Sequence, residues 1–151
     1  MARKKRYVYD YPRPAVTVDI AVVSREKRPR VLLVRRKHEP FAGKWALPGG
    51  FIEMDEPLEE SARRELREET GIRTKKLWQI AVYGDPGRDP RGRTISVVYM
   101  ARVDPQKVNP TAADDAADVG WYPTDALPPL AFDHQAILER VARELKARVN
   151  R

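Results

Sequence analysis

The sequence predicts an α/β (α+β) fold in which helices pack on a mixed β-sheet. Several apolar runs rich in β-branched residues have the length of strands, and two longer stretches have the period of an amphipathic helix. Strands and helices do not alternate strictly, as they do in folds with an all-parallel sheet. At 151 residues and without an internal repeat, the chain is expected to form a single domain over residues 1–151. Residues 1–12 are expected to be a flexible or dimer-contacting arm of that domain.

Five segments have the composition of strands. They are 15–23, 31–36, 77–83, 95–103 and the short segment 120–122. The first two, AVTVDIAVV and VLLVRR, are apolar enough to be buried in a sheet. Glycine and proline punctuate 41–50 (FAGKWALPGG), which is predicted to be a loop. A Gly/Pro/Arg-rich connection, 84–93, joins the third and fourth strands, and a polar loop, 109–118, precedes the fifth.

Two helices are predicted, at 57–70 and at 133–149. Pro57 suits the first turn of the first helix, the glutamates around it complement the positive end of the helix dipole, and Gly71 can end it. The second helix has apolar residues at helical spacing, namely Ile137, Leu138, Val141, Leu145 and Val149.

The first helix carries a carboxylate on its apolar face. On a helical wheel of about 100° per residue, the apolar side chains define a buried stripe, and Glu69 falls inside that stripe. An ordinary charged surface helix explains the opposite, arginine-bearing face well. It does not explain Glu69, because a carboxylate on a core-facing stripe is costly unless it is paired or bound to a metal.

Two further glutamates lie beside Glu69. Glu65 reaches Glu68 and Glu69 at three and four residues, so that three like charges crowd one edge of the helix. This arrangement is destabilising without a cation, and hard oxygen ligands at this density suit Mg²⁺ or Mn²⁺. Arg64 can pair with Glu68 or with Glu60 and neutralise part of the cluster. The spacing therefore favours a divalent-metal site over an ordinary surface helix.

Composition excludes several classes of protein and site. The chain has no cysteine, which excludes disulfides, thiol catalysis and cysteine-bound zinc, and its two histidines are too few for a His-rich metal cluster. No apolar run approaches the ~20 residues of a membrane helix and no signal core is present, so a cytoplasmic protein without a membrane partner is expected. The net charge of +7 suits phosphate-rich partners, but basic clusters at both chain ends explain it equally well.

Residues 50–72, GFIEMDEPLEESARRELREETGI, resemble the Nudix box in every defined position. Gly50 is followed after five residues by Glu56, and after seven more by the run RELREETGI. A chance match to the seven single-residue positions is on the order of 10⁻⁸ per starting point. The resemblance to the Nudix hydrolases implies an α/β/α sandwich with a mixed β-sheet between its helices.

The resemblance also implies roles for the matching residues. The implied Mg²⁺ ligands are the Gly49 carbonyl, Glu65, Glu68 and Glu69. Two or three ions are expected, and Mn²⁺ can substitute. Arg64 would hold a glutamate, in particular Glu56, in place as a catalytic support. Gly50 and Gly71 would be needed because a side chain there would obstruct the turns around the helix.

The implied chemistry is hydrolysis of a diphosphate linkage. Diphosphate oxygens are anionic and repel a nucleophile. Divalent ions would neutralise that charge and lower the pKa of a water molecule, and a carboxylate would take the proton from this water.

The resemblance covers nearly the whole chain. The segments YDYPRPAVTVDI, LLVRRKHEPFAGKWALPGGF, GDPGRDPRGRTISVVY and LAFDHQAIL look like those of ADP-ribose pyrophosphatases and related Nudix domains. Members of that group commonly carry a proline about fifteen residues after the box, and Pro86 has this position, although Pro90 is also nearby. The implied reaction converts ADP-ribose to AMP and ribose 5-phosphate.

Candidate substrate contacts are arginines that can bind diphosphate or ribose oxygens and rings that can stack on adenine. They are Arg36, Arg88, Arg91, Arg93, Phe41 and Phe132. Arg35 and Arg36 point to opposite sides of a strand, so at most one is expected to face the site. Trp45 can stack on adenine or pack in the core, and His134 can be a helix cap or a substrate contact.

Many ADP-ribose hydrolases carry a catalytic acid on a late loop. No glutamate lies between Glu69 and the last helix, so such an acid would be an aspartate here. Asp115, with its neighbour Asp114, is the candidate, although a polar turn explains this pair equally well. Glu68 or Glu53 is the alternative general base.

Other functions remain compatible with parts of the sequence. The box contacts phosphates, so it does not distinguish ADP-ribose from oxidised nucleoside triphosphates or dinucleoside polyphosphates. An ADP-ribose-sensing regulatory domain is the alternative of another class, against which the intact box and the short stretch after FDH argue. Nucleic-acid binding rests on net charge alone. The expected partners are therefore a small-molecule nucleotide and, through Tyr7, Tyr9 and Tyr11, a second copy of the chain in a homodimer.

Overall fold

The computed structural model describes residues 5–113 and 115–149. These ranges contain seven strands and two helices. In chain order they are β1 (Ala15–Ser24), β2 (Arg30–Arg36), β3 (Trp45–Ala46), β4 (Gly49–Phe51), α1 (Leu58–Thr70), β5 (Trp78–Tyr83), β6 (Thr94–Val103), β7 (Ala116–Pro123) and α2 (His134–Val149). The predicted mixed α/β fold is confirmed. Neither helix is long and apolar enough to cross a membrane within this part of the chain.

All seven strands belong to one mixed sheet. Its main path has the order β3-β2-β1-β6-β5, while β4 pairs with β1 and β7 pairs with β2. The long β1 and β6 are parallel, in a register that joins Ala15 to Thr94 and Ser24 to Val103. The other pairings are antiparallel. β1 therefore lies at the centre of the sheet, which explains why its sequence is almost continuously apolar.

One helix covers each face of the sheet. Alternate residues of β1 point to opposite faces. Ile20 and Val22 pack in a core with Leu66 of α1, and Val23 packs in a second core with Ile137 of α2. This is the expected α/β/α sandwich.

The main differences from the predicted elements lie in the segment 41–50 and before Gly120. The segment 41–50 contains β3 and the start of β4, which are too short to show a strand period in sequence. β7 begins at Ala116, inside the predicted polar loop, because this segment pairs with β2. The two strands are far apart in sequence, so no local pattern predicts the pairing.

The helix ends agree with their sequence signals to within one residue. α1 begins at Leu58 with Pro57 as its N-cap residue, and it ends at Gly71, whose φ of 76° is left-handed. α2 begins at His134, and the Asp133 carbonyl accepts hydrogen bonds from the Ala136 and Ile137 amides.

Candidate active site

A cleft of about 480 Å³ opens where β1, β4, α1, the β5–β6 connection and the start of α2 meet. The predicted residues that line it on the α1 side are Gly49, Glu65, Glu69 and Asp115. Those that line it on the opposite side are Arg36, Arg88, Arg91 and Phe132. Carboxylates and cationic or aromatic side chains from distant parts of the sequence thus share one cavity.

Glu69 is the most deeply placed of the α1 carboxylates. The Gly49 amide donates a hydrogen bond of 3.1 Å to its Oε2. Burial raises the pKa of Glu69 to about 8, and the nearby charges of Glu65, Asp19 and Asp115 act in the same direction. The protein therefore holds a carboxylate that is costly to ionise unless a cation is close.

Glu65 lies against the backbone of the preceding strand. Its carboxylate would be 2.6 Å from a Cβ atom at Gly50, so the absence of a side chain there makes room for it. Burial raises the pKa of Glu65 as well, although Arg64 opposes this effect. The two partly buried carboxylates supply hard oxygen donors whose mutual repulsion a divalent cation would relieve, so this donor set fits such an ion.

The structure does not bring Glu68 to the same place. Its side chain is 54% exposed and lies 3.2 Å from Arg64, outside the lining of the cleft. In the described residues, no group of three or more His, Cys, Asp or Glu side chains is close enough to hold a metal ion together. The three glutamates that were expected to form a cluster therefore do not converge in this conformation. Glu68 lies about 60° around the helix from Glu65, and Arg64 pairs with Glu68.

Arg64 connects α1 to the residues before it. Its Nε lies 3.0 Å from both carboxylate oxygens of Glu56, and its Nη1 donates to Glu65 at 2.9 Å. The expected contact between Arg64 and Glu56 is present. The alternative partner Glu60 instead pairs with Arg63 at 2.7 Å.

The opposite side of the cleft is cationic and aromatic. The guanidinium carbon of Arg36 lies 4.9 Å from the centre of the Phe132 ring, and that of Arg91 lies 5.4 Å from the same ring. Phe41 packs edge-on against Phe132 at 4.9 Å and supports it without being part of the lining. Trp45 packs against Tyr122 at 4.8 Å, as its core interpretation requires.

The three arginines of the β5–β6 connection differ in their surroundings. Arg88 is almost fully buried and forms an ion pair of 2.7 Å with Asp133, while Arg91 pairs with Asp89 at 2.8 Å. Arg93 donates to the Gly84 carbonyl and lies outside the cleft lining. The structure therefore does not place Arg93 with the other two, because the turn directs its side chain back onto the connection.

The late-loop aspartates have different outcomes. Asp115 lines the cleft, as does Glu53, the alternative base. Asp114 lies outside the described residues. Asp115 is close enough to Glu69 for its charge to raise the pKa of that carboxyl.

Two buried polar residues of the cleft have surroundings that the sequence did not predict. Asp19 was not predicted as a site residue, and His134 was considered only as a helix cap or a substrate contact. Asp19 accepts a hydrogen bond from Ser96 and lies 3.6 Å from Nε2 of His134. His134 is neither exposed nor a capping side chain, since its Nδ1 accepts the Leu47 amide at 3.0 Å. A lone carboxylate inside the apolar run AVTVDIAVV was the available signal for Asp19.

Comparison with known proteins identifies the class. A family model of the NUDIX domain matches residues 13–145. The chain belongs to the Nudix hydrolase family.

Individual relatives show which members of the family the chain resembles. The chain is 43% identical over 133 residues to an ADP-ribose pyrophosphatase of Methanocaldococcus jannaschii, covering 88% of this chain and 76% of that protein. It is 38% identical over 141 residues to the ADPR responsive transcriptional repressor NtrR of Acinetobacter baylyi, covering 90% of this chain and 56% of the repressor. The solved NUDIX domain of Shewanella oneidensis NrtR in complex with ADP ribose superposes with a TM-score of 0.82 at 35% identity, over 91% of this chain and 94% of that one.

Proposed function

We propose that this protein is a single-domain, metal-dependent pyrophosphohydrolase that converts ADP-ribose to AMP and ribose 5-phosphate. The observation that carries the hydrolytic part is the partly buried pair Glu65 and Glu69, which lines one cleft together with arginines and Phe132. Negative donors on one wall and cationic donors on the other match a substrate whose diphosphate needs both a cation and anion-binding groups.

The residues that would hold the metal are Glu65, Glu69 and the Gly49 carbonyl, with Glu68 joining them by a change of rotamer. Two or three Mg²⁺ ions are proposed, with Mn²⁺ able to replace them. When bound, these ions supply charge neutralisation of the diphosphate and a lower pKa for the attacking water. Arg64 holds Glu65 and Glu56 in fixed orientations, since it donates to both.

A carboxylate oxygen at the cleft takes the proton from the attacking water. Asp115 and Glu53 both line the cavity, and Glu68 adjoins it on α1. Each is a candidate base, and Asp115 is preferred because it lies close enough to influence the ionisation of Glu69. A base near the cation site would meet the water where its pKa is lowest.

The opposite wall binds the remainder of the substrate. Arg36 lines the cleft and has no carboxylate within ion-pair distance in the described ranges, so it is the best placed cation for a diphosphate oxygen. Arg88 and Arg91 assist with the donors that their aspartate partners leave available. The ring of Phe132, supported by Phe41, offers a face for the adenine.

The choice of ADP-ribose is supported by relatives of two kinds. The Methanocaldococcus jannaschii relative is an ADP-ribose pyrophosphatase, and the Shewanella oneidensis NrtR domain was solved in complex with ADP ribose. A cleft of about 480 Å³ is also within the usual range for a small-molecule site.

A substrate panel with Mg²⁺ tests the proposal. We expect ADP-ribose to be hydrolysed with a higher kcat/KM than 8-oxo-dGTP or diadenosine tetraphosphate, with AMP and ribose 5-phosphate as products. Faster cleavage of either competitor would show that ADP-ribose is not the preferred substrate. We expect Glu69→Gln, in a protein that still folds, to reduce kcat by at least about 100-fold, because several kcal/mol of transition-state charge stabilisation depend on the metal.

A second candidate is an ADP-ribose sensor, which the similarity to the Acinetobacter baylyi repressor favours. A sensor would bind ADP-ribose without turning it over, and wild type and Glu69→Gln would be equally inactive. We propose the enzyme in preference, because Glu65, Glu68 and Glu69 are all present. Retention on DNA at physiological salt would be required of a sensor that acts directly on nucleic acid.

We propose further that the protein is a cytoplasmic homodimer. Tyr7, Tyr9 and Tyr11 in the N-terminal arm are exposed, with 47%, 40% and 81% of their surfaces accessible. Exposed rings at this density are typical of contact surfaces. Light scattering of the full chain and of a variant with the three tyrosines changed to serine would test this, since a mass of one subunit for the wild type contradicts it.

A further inference from the structure

His134 occupies an unusual place for a histidine of the cleft. It is the first residue of α2, is 3% exposed, and accepts the Leu47 amide through Nδ1 at 3.0 Å. Burial lowers the pKa of His134, so the ring is neutral. A neutral ring that accepts at Nδ1 carries its proton on Nε2, which faces Asp19 at 3.6 Å.

The segment that His134 holds, residues 47–49, leads directly to the Glu69 carboxylate of α1. The Ile20 amide donates to the Pro48 carbonyl at 2.8 Å, and Gly49 pairs with Asp19 in the sheet. Two residues after Leu47, the Gly49 amide donates to Glu69 at 3.1 Å. A displacement of Leu47 would therefore move the group that orients Glu69.

The residues just before His134 belong to the other wall of the cleft. Phe132, whose φ of 52° is left-handed, contacts Arg36, and Asp133 forms the buried ion pair with Arg88. The backbone of the same turn is bound to β3, since Ala131 donates to the Trp45 carbonyl at 2.8 Å. One turn, 131–134, thus contacts both walls.

We propose that His134 is a positioning residue that holds residues 47–49 against α1 and so fixes Gly49 and Glu69 relative to the substrate-binding wall. The inference rests on the proposed function of the same cleft. It assigns the effect to one bond, the Leu47 amide to Nδ1, and predicts that a side chain with an acceptor at that place can replace the imidazole.

Two polar substitutions separate this bond from the contact with Asp19. In His134→Asn the side-chain oxygen can take the place of Nδ1, whereas in His134→Gln the amide reaches the place of Nε2 and leaves Leu47 without its acceptor. Both variants keep a polar group and leave α2 intact. Val141→Ala, a buried position of α2 away from the cleft, serves as the control for general destabilisation.

Three properties are measured for each variant. They are the dissociation constant for Mn²⁺, kcat and KM for ADP-ribose at saturating Mg²⁺, and the rate of hydrogen exchange at the Leu47 amide. We expect His134→Gln to weaken Mn²⁺ binding and to lower kcat by about 10- to 100-fold, in line with the loss of a residue that orients a ligand. We also expect faster exchange at Leu47 and little change in KM. His134→Asn should recover Mn²⁺ affinity and kcat to within about fivefold of the wild type, and Val141→Ala should change neither.

The outcomes separate this inference from the proposed function. If the wild type hydrolyses ADP-ribose and the Asn and Gln variants have equal Mn²⁺ affinity and kcat, the inference is wrong and the function stands. If the wild type binds Mn²⁺ and the variants differ as expected, but ADP-ribose is not hydrolysed, the function is wrong and the positioning role stands. A loss in Val141→Ala as large as that in His134→Gln also overturns the inference, since stability alone would then explain it.

Discussion

Glu69 is an acidic residue whose surroundings favour its uncharged form. It lies on the apolar side of α1, near Asp19, Glu65 and Asp115, and has one amide donor, from Gly49. A group with this balance binds a proton or a cation more tightly in the folded protein than in the unfolded chain. Its contribution to stability therefore depends on pH and on metal.

The contribution of Glu69 to the stability of the metal-free protein should fall between pH 4.5 and pH 8. The pKa of Glu69 is raised from 4.5 to about 8, so its protonated form stabilises the fold below pH 4.5 and this contribution is lost as pH rises through 8. We expect a decrease of about 2 kcal/mol in the free energy of unfolding, since one pKa unit corresponds to about 1.4 kcal/mol and residual solvent reduces the effect. Urea denaturation in EDTA at pH 5, 6.5 and 8 measures it.

Glu69→Gln is the matched control for this pH dependence. The amide cannot ionise, whereas other groups such as the buried His134 titrate in both proteins. The difference in unfolding free energy between wild type and variant therefore isolates the contribution of Glu69. Added Mg²⁺ should stabilise the wild type more at pH 8 than at pH 5, because it binds the ionised carboxylate. A wild type that gains stability relative to Glu69→Gln from pH 5 to pH 8 in EDTA would contradict the raised pKa of Glu69.

At the scale of elements, α1 and β4 form one unit. Arg64 joins the helix to Glu56 and to the Phe51 carbonyl, and Glu65 packs against Gly50. The strand places backbone where the carboxylates need room, and the helix supplies the carboxylates. Two adjacent glycines of the strand are needed for different reasons.

Alanine at these two glycines should separate activity from stability. In Gly50→Ala the new Cβ would lie 2.6 Å from the Glu65 carboxylate, which can swing away at little cost to the fold. We expect stability within about 0.5 kcal/mol of the wild type and activity about 10- to 100-fold lower. In Gly49→Ala the Cβ would lie 2.1 Å from the Val18 carbonyl of β1, so the protein should lose about 2 kcal/mol or more.

Thermal unfolding and the hydrolysis assay distinguish the two glycine variants. Near-wild-type activity in Gly50→Ala would show that the place of Glu65 is not important for the reaction. A Gly49→Ala protein as stable as the wild type would show that β1 and β4 can separate without cost.

At the scale of the whole molecule, the cleft depends on contacts between distant segments. The β5–β6 connection and α2 are joined by the ion pair of Arg88 with Asp133, which is 5% and 25% exposed, respectively. A second Arg–Asp pair, Arg28 with Asp125, has the same distance within 0.1 Å but is 66% and 65% exposed. The two ion pairs have the same chemical groups and differ in burial, so their contributions to stability can be compared.

Asp133→Asn should be much more harmful than Asp125→Asn. The first leaves a buried guanidinium without its counter-ion, and we expect a loss of about 2 kcal/mol together with a higher KM for ADP-ribose, because Arg88 loses its orientation. The second removes an exposed ion pair and should change the free energy of unfolding much less. Denaturation of both variants measures the difference, and equal losses would contradict the role given to burial.

The fold class, the two helices and the carboxylates of α1 follow from the sequence itself. Periodicity identifies the long strands and helices, because alternation and the helical repeat are local properties of the chain. The same wheel that places α1 in the core also identifies Glu69, since a carboxylate on an apolar stripe has few explanations. The spacing 50–72 then indicates the family.

The other features of the fold and of the cleft depended on contacts between residues far apart in sequence. Asp19 and His134 are 115 positions apart and meet only because β1 and the start of α2 enclose the same cavity. Tertiary structure likewise formed β3 and β4, turned Arg93 back onto its own loop and left Glu68 at the solvent edge. Local sequence patterns indicate which face of a helix or strand is apolar. Which side chains then meet in space depends on how the helices and strands pack together. The sequence alone therefore determined the family and the helix that bears its carboxylates, and the packing decided which side chains share the cleft.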